Sequence, residues 1–177
     1  MSFLDLCRKR QSDRGYDPSR PVPREALERC LEAARLAPSA CNSQPWEFIV
    51  VDSPELRGKL AATFAGPWRM NGFAKDAGAI VAIVRRRPRL SALIGGFWRG
   101  TDFVVGDLGI AGEHFVLQAT EEGLGSCWIG WFNESACKRL LGLGWTDKIE
   151  CLLTIGWPAG EIREKKRKAL HEMSRFI

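Results

Sequence analysis

A chain of 177 residues is long enough to bury one core of ordinary size, and its shares of 45% hydrophobic and 27% charged residues exclude a disordered tract or a membrane-embedded bundle. A formal net charge of +5 favours an anionic partner, whether a phosphorylated cofactor, nucleic acid or an anionic membrane surface, without choosing among them. The six cysteines include no C-x-x-C pair and the two histidines stand apart, which excludes zinc-type ligand spacing. No run approaches the roughly 18–20 apolar residues of a membrane span, and the first residues lack a signal-peptide core, so a cytoplasmic protein with reduced thiols and no metal is expected.

Residues 3–10 predict a short helix ending in a basic turn. Pro21, Val22 and Pro23 open a second helix, with Pro23 in the first turn, where its missing N–H is not needed. Ala26, Leu27, Cys30, Leu31 and Ala34 share one face of it, and Pro38 stops it. The apolar run at 46–52 predicts a buried strand, and Ser53–Pro54–Glu55 starts a third helix with Ser53 as N-cap. A second strand is expected at 79–84, followed by the basic run 85–89. Residues 107–122 are apolar on most sides and predict a central helix ended by Gly123 and Gly125. Two more strands are expected at 127–132 and 151–157, with a short helix at 134–141 between them, and the tail 161–168 is charged. Strands separated by helices without a regular βαβ rhythm predict an α+β fold: a central mixed, mainly antiparallel sheet packed by helices, in one domain over residues 1–177. Seven tryptophans point to rings lining a core, an interface or a pocket for a flat ligand.

Four short segments carry possible chemistry. Arg10–Gln11–Ser12–Asp13–Arg14 places two guanidiniums and a hydroxyl within five residues, able to grip a phosphate or to remain a solvated surface run. Pro38 to Trp46 is a polar loop in which Asn42 and Gln44 can read the edge of a heterocycle or simply bond to their own turn. Gly123 to Gly130 allows close backbone approach to a ligand, or is a helix end running into a strand. Lys165–Lys166–Arg167–Lys168 can close over a phosphate or stay in solvent.

Taken together and in this order, these segments resemble the nitroreductase family of FMN-dependent oxidoreductases. Arg10, Ser12 and Arg14 match an Arg-x-Ser-x-Arg/Lys opening, and Pro21–Val22 matches the start of the next helix. The stretches AARLAPSACNSQPWEFIVV and GLGSCWIG match the family segment by segment, and Gly156–Trp157–Pro158 stands where relatives have Gly-Tyr-Pro. The resemblance implies FMN bound between two copies of the chain. Arg10, Gln11, Ser12 and Arg14 are expected on the cofactor from one subunit, Arg10 toward the phosphate and Arg14 near the N1/O2 edge. Pro38, Ser39, Ala40 and Asn42 are expected to reach it from the other. Ile129 and Gly130 are expected beside the ring, with a backbone N–H near N5, Lys165 and Arg167 back at the phosphate, and Asn71 at the pyrimidine. The reaction implied is hydride transfer from NAD(P)H through the flavin to an electron-poor acceptor, with Arg14 and the Gly130 amide as the groups that tune the flavin.

The stretch 85–101 matches no family motif and is expected to help form the substrate pocket. Phe97, Trp98, Phe103 and Trp131 are candidates there for stacking on flat substrates, or for core and interface. Three other readings stay open at this stage. They are other flavin chemistry on the same fold (dehalogenation, azoline dehydrogenation or flavin breakdown), a non-enzymatic flavin-binding regulator or basic nucleic-acid binder, and a thiol redox protein using Cys41 or Cys127.

Overall fold

Residues 79–84 are apolar at every position, and the strand they form is fully buried on both faces. In the computed structural model, which describes residues 1–64 and 71–177, this strand is β2 (Ala79–Arg85). It lies between β1 (Trp46–Val51) and β4 (Lys148–Gly156), and β3 (Gly125–Ile129) pairs on the far side of β4, giving the order β1-β2-β4-β3. All three ladders are antiparallel, with Phe48 opposite Ile83, Val81 opposite Leu153 and Cys127 opposite Thr154. The predicted mixed character is confined to one parallel bridge, Ser12 to Ser126.

Seven α-helices are described: α1 (Phe3–Lys9), α2 (Arg24–Arg35), α3 (Pro54–Ala62), α4 (Leu90–Arg99), α5 (Phe103–Glu121), α6 (Glu134–Leu141) and α7 (Leu170–Met173). Strand periodicity sorts them into two layers. Val81, Ile83, Leu153 and Ile155 face α2 and α5, where the Phe48 ring stacks on Phe115 with centroids 5.8 Å apart. Ile80, Ala82, Val84 and Leu152 face the opposite way, toward Leu60 of α3 and Cys137 of α6.

Local chemistry sets most helix ends. Ser2 and Asp5 form a capping box on α1, and the Ser53 hydroxyl accepts the Leu56 N–H ahead of Pro54. Pro23 proves to be the extended residue before α2 rather than part of its first turn. The central helix starts four residues earlier than its apolar pattern suggests, because Asp102 caps it through Val104 N–H. Strand β3 ends at Ile129, short of the predicted 132, and β4 starts three residues before Cys151. Of the tryptophans, Trp46, Trp128 and Trp157 pack against the core, Trp98, Trp131 and Trp145 are exposed, and Trp68 lies outside the described residues.

Helix α5 crosses the sheet most closely at Gly112. A Cβ there would run into the Trp128 ring and lie 2.9 Å from Ile83 Cδ1. Both neighbours are held in the sheet, so the added methyl has no room to be absorbed. Gly112→Ala is therefore expected to destabilise the fold by about 1–3 kcal/mol despite alanine's better helix propensity. Urea unfolding checks this, and an unchanged midpoint would show that α5 can lift off the sheet.

Candidate functional site

Strand β3 ends the sheet, and its free edge is covered by the segment after α1. Asp13 N–H donates to Ser126 O at 2.8 Å, and Ser126 N–H returns to Asp13 Oδ2 at 3.3 Å. Below this pair the buried Tyr16 hydroxyl donates to Asp13 O at 2.9 Å and lies 2.8 Å from Thr154 Oγ1. The chain leaving β4 then runs alongside, with Ala159 N–H on Gly15 O. Both ends of the sequence thus meet on one edge of the sheet.

Most of the predicted cofactor residues gather there. Arg10 ends α1 and pairs with Glu113 of α5 at 3.5 Å. The Lys165 ammonium donates to Cys7 O at 2.6 Å and to Arg8 O, the carbonyls at the negative end of α1. Burial, and then the like charges of Arg10 and Arg167, hold the Lys165 ammonium below the usual lysine range. Lys165 is therefore close enough to feel two other cations. Arg14 is exposed, and among the described residues its guanidinium makes no ion pair. It lines an open pocket of about 520 Å³ with Gln11, Asp13, Gly160 and Arg163. Ser12 is engaged through its backbone, its carbonyl accepting from the Arg163 guanidinium. Ile129 is buried at the end of β3, while Gly130 beyond it is exposed, with open space where a Cβ would sit. Asn71 donates to Trp131 O at 3.2 Å, which places it beside the chain leaving β3. Gln11 spends its amide inside the chain: Nε2 donates to Asp13 and to Glu161 O, and Oε1 accepts the Arg163 N–H.

The loop Pro38 to Asn42 lies elsewhere, at the head of α5. Ala40 N–H donates to both oxygens of the buried Asp107, at 3.0 and 3.2 Å. Gln44 N–H donates to Ser39 Oγ at 2.9 Å, and the Asn42 and Gln44 amides bond to each other at 3.0 Å. Cys41, Asn42 and Gln44 all have φ near +50°. For L-residues this conformation costs about 1–2 kcal/mol each, and such strain collects at functional loops. Among the described residues no hydrogen bond or ion pair joins this loop to 10–14 or 165–167. Asp107 and Glu113, the α5 contacts of the two sets, are separated by about 9 Å along the helix and about 240° around it. The two sets of residues therefore lie on different sides of α5.

The unassigned stretch 85–101 becomes the end of β2 and α4. Together with the start of α5 this helix bounds a largely apolar groove of about 730 Å³ that reaches Asp107. Phe97 and Trp98 are 86% and 84% exposed, while Phe103 is half-buried in the groove wall. The basic run is partly neutralised. Arg85 pairs with Asp102 through two bonds, and Arg86 with Glu47 and Asp147, so two of the four arginines of the run are neutralised. Burial pushes the Cys127 thiol up, and Cys30 and Cys151 up to about 12, so none of these three is a ready thiolate. Among the described residues, no cluster of His, Cys, Asp and Glu could hold a metal, and no helix is long and apolar enough to cross a membrane.

Sequence reading missed Asp13, Asp107 and Arg163. Asp13 stood inside a quoted motif but at its variable position. Arg163 looked like any tail charge, and Asp107 like the polar start of a helix.

Comparison with known proteins agrees with this architecture. Residues 7–157 match the Nitroreductase family. A protein of Archaeoglobus fulgidus, provisionally named an NADH dehydrogenase/NAD(P)H nitroreductase, is 32% identical over 162 residues, which are 89% of this chain and 86% of that one. The crystal structure of a nitroreductase family protein from Clostridium novyi NT superposes with a TM-score of 0.78 at 30% identity, over 89% of this chain and 86% of that one. An FMN-dependent nitroreductase from Clostridium difficile R20291 superposes with the same TM-score of 0.78 at 27% identity, over 98% of each chain. By the extent of the family match and of the Archaeoglobus alignment, this chain belongs to the nitroreductase family.

Proposed function

We propose that two copies of this chain hold FMN where their half-sites meet, and carry hydride from NAD(P)H to an electron-poor acceptor such as a nitroaromatic or a quinone. The observation that carries the reading is the meeting of Arg10 and Lys165 at the end of α1, with Arg167 two residues further along the same segment. Like charges held together raise one another's free energy, and an anion between them relieves it. A phosphate monoester fits that donor set, since guanidiniums pair with its oxygens two at a time and an ammonium adds a point charge. The FMN-dependent relative with 27% identity supports the choice of cofactor.

Bound FMN supplies the hydride chemistry itself. This chain's part is placement and charge. Arg10, Lys165 and Arg167 hold the phosphate. Arg14, whose guanidinium has no ion-pair partner among the described residues, offers its charge to the N1/O2 edge, where negative charge grows on reduction. The exposed backbone at Gly130 lets the ring lie close to the end of β3, with Ile129 anchoring that strand and Asn71 fixing the chain beyond it. Pro38, Ser39, Ala40 and Asn42 come from the second copy. An exposed apolar face supports pairing of two chains: Leu90, Leu93, Ile94, Phe97, Trp98, Val105 and Ile110 of α4 and α5 lie open in one chain. A cytoplasmic setting belongs to the same reading, supported by six cysteines without a disulfide.

Purified protein is expected to carry or take up FMN, to sediment as a dimer, and to lose its flavin absorbance on anaerobic titration with NADH or NADPH. Protein that takes up no FMN would overturn the reading. Flavin that stays oxidised under both nucleotides would remove the hydride donor from it. Arg14→Ala is expected to lower the reduction potential of the bound flavin with the unfolding midpoint unchanged. An unaltered potential would remove Arg14 from the N1/O2 edge.

A further inference from the structure

We propose that Asp13 is a positioning residue for the anion site. Through Gln11 it fixes the segment that carries Lys165 and Arg167, and so sets the affinity for the cofactor phosphate without touching it. The inference rests on the FMN reading above.

Asp13 is 9% exposed, and its carboxylate is packed against the start of β3. A Cβ on Gly125 would lie 2.7 Å from Asp13 Oδ2, so the glycine at that position is what admits the carboxylate. Each carboxylate oxygen has its own donor. Gln11 Nε2 gives to Oδ1 at 2.8 Å, and Ser126 N–H gives to Oδ2 at 3.3 Å. Among the described residues the cations that bear on it are Arg163 and Arg10, and neither makes an ion pair with it. Its role in the geometry is that of an acceptor facing two donors.

That role decides which way round the Gln11 amide lies. With Nε2 held by Asp13, Oε1 must face outward, where it takes the Arg163 N–H at 3.0 Å, while Nε2 also reaches Glu161 O at 3.1 Å. The Arg163 guanidinium adds a bond to Ser12 O. The C-terminal segment is thus latched at 161 and 163, two residues before Lys165. Upstream, Ala159 N–H on Gly15 O holds the chain leaving β4; beyond it, the Gln11 and Arg163 bonds and Lys165's own contacts with α1 carry the segment on to the cations.

An asparagine at this position keeps the shape and removes the logic. It carries one acceptor and one donor where two donors converge. If its oxygen faces Gln11, its NH₂ meets the Ser126 N–H. If it is turned round, Gln11 must flip and present Nε2 to the Arg163 N–H. Either way one donor meets another, and the latch loosens.

The test compares FMN with riboflavin, which differ by the phosphate alone. The parent protein is expected to bind FMN much more tightly than riboflavin. Asp13→Asn is expected to lose about tenfold or more in FMN affinity but less than about twofold for riboflavin, the scale of one charge-assisted contact. Adding Gln11→Glu to Asp13→Asn restores an acceptor toward both the substituted amide and Arg163. The double variant is expected to recover part of the FMN preference, which general loss of packing would not. If Asp13→Asn does not fold, Gln11→Leu breaks the latch at its exposed end and is expected to show the same selective loss. Equal loss for both ligands, or an unchanged preference, would overturn the role of Asp13 while leaving the FMN reading intact. A parent protein that binds FMN no more tightly than riboflavin would instead overturn the phosphate cluster, and this inference with it.

Discussion

The exchange of hydrogen bonds between Asp13 and Ser126 is the contact on which the rest of the site depends. A sheet's end strand leaves a row of donors and acceptors unpaired, and proteins cover such edges or lose them to other chains. Here the cover is the segment after α1, held by two backbone-directed bonds and by the Tyr16 phenol beneath. Burial keeps that phenol neutral far above its ordinary range, so it remains a donor at any pH the protein meets. Once this segment is fixed, the backbone that carries Arg10 and Arg14 is fixed, and the chain returning from β4 has a surface to lie against. The same bonds that protect the sheet therefore arrange the cations.

Helix α5 gives the second half of the design. It is buried along Leu108, Ala111, Phe115 and Ala119, and it touches both half-sites, Asp107 on one side and Glu113 on another. Each half is placed by a buried carboxylate that accepts N–H groups: Asp107 from the Ala40 amide, Asp13 from Ser126 and Gln11. A carboxylate used in this way fixes backbone position through directed bonds, which a bare ion pair between flexible side chains does less well.

Much of this was legible in the residues. The apolar runs located all four strands, because a strand covered on both faces, as β2 is, has no room for polar side chains. Ser53 and Pro54 marked the start of α3 by their own chemistry. Helix α4 was not legible. It has no side-chain N-cap, contains Gly95 and Gly96, and exposes its aromatic residues, so neither a cap nor propensity announces it. The order of motifs along the chain points to the cations at 10, 14, 165 and 167. What holds them was hidden, since the Gln11 to Arg163 contact spans 152 positions and no local pattern encodes it. The separation of Pro38 to Asn42 from the other site residues is likewise a fact of three dimensions, set by where α5 starts.

The loop from Cys41 to Gln44 has a consequence for anyone seeking a sturdier version of this protein. Three residues of backbone in the left-handed region are a reservoir of unfavourable energy, and glycine at 41 would drain part of it. Selection for heat resistance alone would find that change early. Glycine would also widen the conformations open to the backbone beside Ala40, which Asp107 holds. On the FMN reading, that costly rigidity is what holds Ser39 to Asn42 in shape for the partner's cofactor.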